Sequence, residues 1–125
     1  MNQPIHTDLA PAAIGPYSQA VQAGSMLFVS GQIPLDPATG AFAGNDITTQ
    51  TRQSLTNLKN ILEAAGYTCA DVVKTTVLLA DMGDFAAMNA VYSEFFTGNY
   101  PARAAFAVKD LPKGALVEIE CVANK

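Results

Sequence analysis

The stretch VVKTTVLLADMGDFAAMNAVYSEFFTGNYPARAAFAV, from Val72 to Val108, decides the fold because it passes from a strand through a helix to a second strand. Its first segment, VVKTTVLLA, is rich in β-branched residues and predicts a buried strand. The helix is predicted to begin at Asp84 as its N-cap and to end before Gly98. RAAFAV then predicts another strand. The helix carries one apolar stripe, made of Phe85, Met88, Tyr92 and Phe95.

The segments on either side extend this pattern to the whole chain. YSQAVQAGSMLFVSGQI predicts a hairpin that turns at Ala23–Ser25, and DPATG predicts a loop. DITTQTRQSLTNLKNILEAAG predicts a helix with leucines at helical spacing and a stop at Gly66. ALVEIECVA predicts a last strand, joined to RAAFAV by KDLPKG. The order of elements indicates one α+β domain over residues 1–125, with two helices on one face of a mixed sheet.

The composition suggests that other copies of the chain cover part of the surface. Hydrophobic residues make up 50% of the 125 residues and charged residues 14%. A small monomeric domain usually carries a surface that is about 25–35% charged. We therefore expect a homo-oligomer.

Charge and motif content disfavour several functional classes. The net charge of -4 and the absence of clustered Lys and Arg disfavour nucleic-acid binding. Two cysteines without metal-ligand spacing, a single histidine (His6) and no phosphate-binding glycine loop predict chemistry without metal or cofactor. No signal-peptide pattern is visible and no apolar run approaches the roughly 20 residues of a membrane span. These features lead us to expect a cytoplasmic protein with no membrane partner.

The faces of the last two strands predict a second packing surface. In LVEIECVA, one face carries Glu118 and Glu120 and the opposite face is apolar. In RAAFAV, Arg103 shares its face with Ala105 and Ala107. If KDLPKG joins the two strands as a hairpin, Arg103 and both glutamates lie on one face. Helices cover only the other face, so we expect the partly apolar second face to meet the sheets of other copies.

Arg103 is one of only two arginines, and it stands at the head of an apolar strand. Its forked, permanently charged guanidinium suits a small carboxylate held by two hydrogen bonds. An ion pair with Glu118 or Glu120 explains it as well, and the two interpretations are compatible. The two glutamates project from one face about 7 Å apart, and either carboxylate can orient water or move a proton.

Three weaker patterns supply four further candidate residues. SGQIP ends a strand with Ser30 and Gly31, where glycine lets a ligand approach the backbone closely, although a plain turn fits too. Tyr17 follows Gly-Pro, a rigid corner that suits either a presented ring or a core tyrosine. Asn89 lies beside the apolar stripe of the second helix and suits a polar contact.

These segments together resemble the RidA (YjgF-like) family of reactive intermediate imine/enamine deaminases, nearly from end to end. The resemblance lies in APAAIGPYSQAV, FVSGQIPLDPATG, TRQSLTNLKNILEAAG, VVKTTVLLADMGDFAAMNAVYSEFF, YPARAAFAV and LPKGALVEIE. It implies a chorismate-mutase-like fold that forms a homotrimer around a central barrel, with ligand clefts between subunits. It also implies hydrolysis of 2-iminobutanoate and 2-iminopropanoate, the imine tautomers of enamines such as 2-aminoacrylate, to 2-oxo acids and ammonia.

The resemblance assigns roles to individual residues. Arg103 matches the arginine that binds the substrate carboxylate, and Glu118 matches the glutamate that positions water. Ala105 replaces a cysteine common in relatives, which leaves only a backbone amide to contact the ligand. Four other residues match positions in or near the cleft, namely Tyr17, Ser30 and Gly31 in it and Asn89 near it.

Three other functions stay open at this point. The clefts of a trimer can bind small carboxylates without turnover. RNA cleavage or translation inhibition is also attached to the family, although the acidic composition disfavours it. A stress-induced holdase is the third, and no feature of the sequence supports it specifically.

Overall fold

The computed structural model describes all 125 residues, and its two helices cover one face of a six-stranded mixed sheet. This confirms the predicted α+β class and the placement of the helices. The strands are β1 (Gln3–Ile5), β2 (Ala20–Ala23), β3 (Met26–Gln32), β4 (Val72–Leu79), β5 (Ala102–Ala107) and β6 (Val117–Asn124), and the helices are α1 (Ile47–Ala64) and α2 (Phe85–Phe95). No helix combines the length and apolarity that crossing a bilayer requires.

The strand order β1-β2-β3-β6-β4-β5 places β6 in the middle of the sheet. It pairs antiparallel with β3 on one side and with β4 on the other. β5 pairs parallel with β4, and α2 supplies the crossover that a parallel pair needs. The predicted hairpin between RAAFAV and the last strand is therefore wrong, because β4 lies between β5 and β6.

The core lies between the helices and one face of the sheet. The leucine stripe of α1 is buried as predicted, with Leu58 and Leu62 fully enclosed. From the sheet, Val77 of β4 and Ile119 of β6 meet it and are also fully buried. Each such side chain contributes about 1.5–3 kcal/mol on burial, so this contact fixes which face of β6 points inward.

The ends of the helices are set by local chemistry. Asp46 caps α1, since its carboxylate accepts a hydrogen bond from the Thr49 amide at 2.9 Å. Asp84 is the N-cap residue of α2 as predicted, although its side chain makes no capping hydrogen bond. A short 3-10 turn precedes α2 instead, and the Asp81 carboxylate accepts from the Gly83 amide at 2.7 Å.

The sheet face opposite the helices has no cover within the chain. Phe28 of β3 and Phe106 of β5 are 48% and 47% exposed on this open face. Val122 lies opposite Phe28 in the register and is half-buried. Exposed aromatic rings on one sheet face are typical of a surface that meets a partner.

Candidate active site

A cleft of about 490 Å³ opens between the N-terminal loop, the end of β3 and the turn before β6. We call it the Glu118 cleft. It brings together four residues that the sequence singled out separately, namely Tyr17, Ser30, Gly31 and Glu118. Its apolar lining includes Ile14 and Leu35. An acid group in a largely apolar cleft is typical of a small-molecule site.

A β-bulge in β3 positions Gly31 against Glu118. The pairing with β6 is regular as far as Val29 and Cys121 and resumes at Gln32 and Ile119, so β3 carries one extra residue there. A Cβ added at Gly31 would lie 2.9 Å from Cδ of Glu118 and closer still to Oε2. Gly31 therefore permits the close approach of the carboxyl group to the backbone.

Ser30 and Tyr17 belong to the wall that holds the N-terminal loop against β3. The Ser30 hydroxyl donates to the Ser18 carbonyl at 2.6 Å, and its amide donates to the Gln19 carbonyl at 2.9 Å. Tyr17 is 54% exposed, so its ring is presented at the cleft rather than buried in the core. This agrees with the interpretation that Gly15-Pro16 forms a corner that presents the Tyr17 ring, and it excludes a core tyrosine.

Buried Gln19 fixes this loop, a role that no sequence pattern indicated. Its side-chain oxygen accepts from the Thr7 amide at 2.7 Å. Its nitrogen donates to the carbonyls of Thr7 at 3.0 Å and Pro11 at 2.8 Å. A buried amide with several backbone partners orders the segment it contacts. In the sequence, a glutamine next to a strand looks the same whether its side chain is buried and structural or exposed to solvent.

Glu118 is half-buried and forms no ion pair. Burial raises the pKa of its carboxyl group, and the nearby charge of Glu120 raises the pKa further. A carboxyl group with a raised pKa moves protons more effectively near neutral pH than an ordinary surface glutamate. Glu120 is exposed and lacks this environment.

Arg103 lies in a second cleft, of about 440 Å³, between α2 and the start of β5. We call it the Arg103 cleft. Its Nη1 donates to Oδ1 of Asn89 at 2.7 Å. The guanidinium carbon lies 4.7 Å from the ring centroid of Tyr92 and 5.4 Å from that of Phe85. Contacts with two aromatic faces and one amide hold the charged group in place while its other donors remain free.

The support of Arg103 extends into the core through Tyr92. The Tyr92 hydroxyl lies 2.7 Å from Oγ1 of fully buried Thr75. Burial raises the pKa of Tyr92, so its hydroxyl stays protonated at neutral pH. Thr75 is also the residue that pairs with Arg103 across the β4–β5 ladder. The position of the guanidinium is therefore tied to the packed side of the sheet.

The two clefts lie on opposite faces of the sheet within one chain. Arg103 contacts α2 on the helix-covered face. Glu118 alternates with buried Val117 and Ile119, so it points to the open face. The prediction that Arg103 and both glutamates share a face is wrong, because β5 pairs with β4 instead of β6. No carboxylate lies within ion-pair distance of Arg103, so Arg103 forms no ion pair with Glu118 or Glu120 of its own chain.

Ala105 follows Arg103 on the same face of β5. It is half-buried and packs against the core cluster. Its side chain therefore supports the sheet rather than entering the Glu118 cleft.

Two polar residues of α1 hold the floor of the Glu118 cleft and were also missed. Asn57 donates to the carbonyls of Ile33 and Leu35 at 3.3 and 2.9 Å. The Gln50 side-chain oxygen accepts from the amide of Leu116 at 2.8 Å, just before β6 begins. A signal was available, since amides lie among the leucines on the buried side of the helix.

Comparison with known proteins places the whole chain in one group. The family model described as Endoribonuclease L-PSP matches residues 7–125. A RutC family protein of Pyrococcus horikoshii is 57% identical over 100% of this chain and 99% of its own length. Proteins named 2-iminobutanoate/2-iminopropanoate deaminase are 53% identical in Salmonella typhimurium and 52% identical in Mus musculus. These matches cover 98% and 95% of this chain, and 98% and 88% of the relatives.

Solved structures agree with the fold over its full length. A crystal structure of a Thermotoga maritima protein aligns with a TM-score of 0.98 at 50% identity, covering 100% of this chain and 98% of that one. The structure of E. coli TdcF with bound serine aligns with a TM-score of 0.95 at 46% identity, covering 98% of both chains.

Proposed function

The chain belongs to the endoribonuclease L-PSP family, which includes the RidA (YjgF-like) proteins, and on that premise we propose that it hydrolyses small 2-imino acids to 2-oxo acids and ammonia. The proposed substrates are 2-iminobutanoate and 2-iminopropanoate. Two relatives, 53% and 52% identical to the chain over the aligned residues, are named for this activity.

The observation that carries the proposal is the state of Arg103. Its guanidinium is held by Asn89, Tyr92 and Phe85, yet no carboxylate of the chain neutralises it. A fixed, unpaired fork is prepared for a bidentate carboxylate ligand. Each charged hydrogen bond contributes about 1.5–3 kcal/mol, enough for two to hold a small acid.

We further propose that Arg103 and Glu118 act together across subunits of a homotrimer. Within one chain they occupy different clefts on opposite faces. The exposed rings of Phe28 and Phe106, with the low charge content, favour contact between the open faces of neighbouring copies. Because β5 is an edge strand, the same contact would lay this edge, with its Arg103 cleft, beside the Glu118 cleft of the next chain and complete one site from both.

In the proposed mechanism Arg103 binds the substrate carboxylate and fixes the imine carbon beside a water molecule. Glu118 accepts a proton from this water as its oxygen attacks the imine carbon, which forms a carbinolamine. That proton passes to the imine nitrogen and completes the carbinolamine. The hydroxyl proton then moves through Glu118 to the same nitrogen as the C–N bond breaks, which releases ammonia and leaves the 2-oxo acid. Positioning and one proton-transfer group suffice because the free imine already hydrolyses slowly.

The activity is tested by generating the imine with a pyridoxal-phosphate-dependent threonine dehydratase and trapping the remainder with semicarbazide. We expect the wild-type chain to reduce the trapped imine and Arg103→Ala to lose this effect while it folds and assembles normally. Turnover by Arg103→Ala at the wild-type rate would exclude the carboxylate clamp.

The shared site is tested by mixing subunits. Arg103→Ala and Glu118→Ala should each retain only a small residual activity alone. After denaturation and joint refolding at equal amounts, about a quarter of the interfaces would combine an intact Arg103 with an intact Glu118. Activity should then return to about a quarter of the wild-type value. No recovery, with mixed trimers shown by mass spectrometry, would place both residues in one chain's site.

A second candidate function is binding of small amino or oxo acids without turnover. It is favoured by the similar E. coli TdcF, whose structure contains serine. Calorimetric binding of 2-oxobutanoate together with an unchanged semicarbazide trace would support this function over hydrolysis.

A further inference from the structure

Lys113 has a backbone conformation that lysine rarely adopts. Its φ of 57° and ψ of 20° lie in the left-handed region, and it is the only residue other than glycine in the chain with a positive φ. Such outliers among residues with a Cβ often mark functional sites.

The turn around Lys113 explains why this conformation is required. The Gly114 amide donates to the Leu111 carbonyl at 3.2 Å, which closes a four-residue turn with Pro112 in its second position. Lys113 occupies the third position, where a positive φ normally selects glycine or asparagine. Turn geometry alone therefore gives no reason for a lysine.

The location of Lys113 supplies a reason. It lines the Glu118 cleft, and it and Glu118 are the only charged residues of that lining. Lys113 is exposed, and its ammonium group belongs to none of the ion pairs of the chain. The cleft thus carries an unpaired cation at its wall in a protein whose net charge is -4.

We propose that Lys113 draws the anionic substrate into the Glu118 cleft and contacts its carboxylate on entry, before Arg103 of the adjoining subunit binds it. This inference rests on the proposed function. A net negative protein repels a small carboxylate, whereas a cation at the cleft wall raises its local concentration and association rate. Lys113 therefore acts on substrate capture and leaves the chemical step to Arg103 and Glu118.

The test compares Lys113→Met with Lys109→Met, a matched control that removes the same charge from the same connection outside the cleft. At low ionic strength we expect Lys113→Met to lower kcat/KM about tenfold through KM, with kcat within about twofold of wild type. The loss should shrink near 0.3 M salt, where the Debye length falls to roughly 6 Å. Lys109→Met should remain close to wild type at both salt concentrations. Equal losses in the two variants, or a loss unchanged by salt, would overturn the inference.

Further substitutions separate charge from turn geometry. Lys113→Asn keeps the left-handed turn favourable but removes the charge, so its melting temperature should equal or exceed that of wild type while KM rises as in Lys113→Met. Lys113→Arg should retain a low KM. A normal KM in Lys113→Asn would reduce the lysine to a structural role and reject the proposal.

A binding measurement distinguishes this inference from the proposed function. If the wild-type chain does not accelerate imine hydrolysis, calorimetry with 2-oxobutanoate still tests Lys113. Weaker binding by Lys113→Met than by Lys109→Met would support the anion contact even without turnover. Equal binding by both variants, or no binding by wild type, would contradict it.

Discussion

Replacing Gly31 by alanine should separate the position of Glu118 from the stability of the fold. The new Cβ would lie 2.9 Å from Cδ and 3.1 Å from Cγ of Glu118, whereas carbon atoms normally approach to about 3.5–4.0 Å. The carboxyl group must therefore move by about 0.6–1 Å. A displacement of about 1 Å can cost about 10²-fold in rate, equivalent to about 2.7 kcal/mol in activation free energy.

The fold should tolerate this change. Gly31 lies outside the left-handed region, so alanine can adopt its backbone conformation. The atoms displaced belong to the end of a flexible side chain. We expect the free energy of unfolding to change by less than about 1 kcal/mol, as measured by urea denaturation.

A double-mutant cycle decides whether the loss acts through Glu118. The semicarbazide assay is run on Gly31→Ala, Glu118→Ala and the double variant. If Gly31→Ala acts only by displacing the carboxyl group, it should add little loss in the Glu118→Ala background. Full activity of Gly31→Ala, or the same hundredfold loss in both backgrounds, would refute the reasoning.

Three other predictions concern single side chains. Because the pKa of Glu118 is raised by burial, Glu118→Gln and wild type should melt alike below its ordinary value of 4.5, where both folded and unfolded states hold the proton. Above that pH the charged wild-type carboxylate opposes folding, so Glu118→Gln should have the higher melting temperature. The difference in melting temperature should grow with pH until the raised pKa of Glu118 is passed. A difference that shrinks with rising pH would contradict the raised pKa. Asn57→Ala should cost about 1–3 kcal/mol in urea unfolding, because the carbonyls of Ile33 and Leu35 lose their donor, and an unchanged midpoint would show that water replaces it. Arg103→Lys should recover less than about a tenth of wild-type kcat/KM, since an ammonium group lacks the guanidinium fork, and full recovery would mean that charge alone suffices.

The local elements of the fold could be predicted because their patterns are contained in short segments. The hairpin through Gly24, the stripe of α1 with its stop at Gly66 and the β-branched strand β4 are all confirmed. β1 was not identified as a separate strand, since it has only three residues and contains Pro4. Strand neighbours depend on contacts distant in sequence, so KDLPKG gave no sign that β4 lies between the strands it connects.

The candidate site could be predicted residue by residue but not as an arrangement. Ser30, Gly31 and Glu118 meet at the bulge of β3, a long-range irregularity that alternation along one strand does not encode. The parallel pairing of Arg103 with Thr75 places Arg103 on the helix-covered face. A hairpin would instead have paired β5 with β6 and placed Arg103 on the face of the glutamates. Groups that another copy contributes depend on contacts between chains, which alternation within one strand does not encode.

The central position of β6 has a consequence for how the chain is made. Until residues 117–124 have left the ribosome, the earlier strands form two separate pieces, β1–β3 and β4–β5, each with an unpaired edge that β6 will later fill. Native pairing during translation is therefore incomplete for most of synthesis, and closure of the sheet awaits contacts of high sequence separation. Nascent chains shortened before Val117 should bind strand-recognising chaperones, because both edges that flank the missing strand remain open.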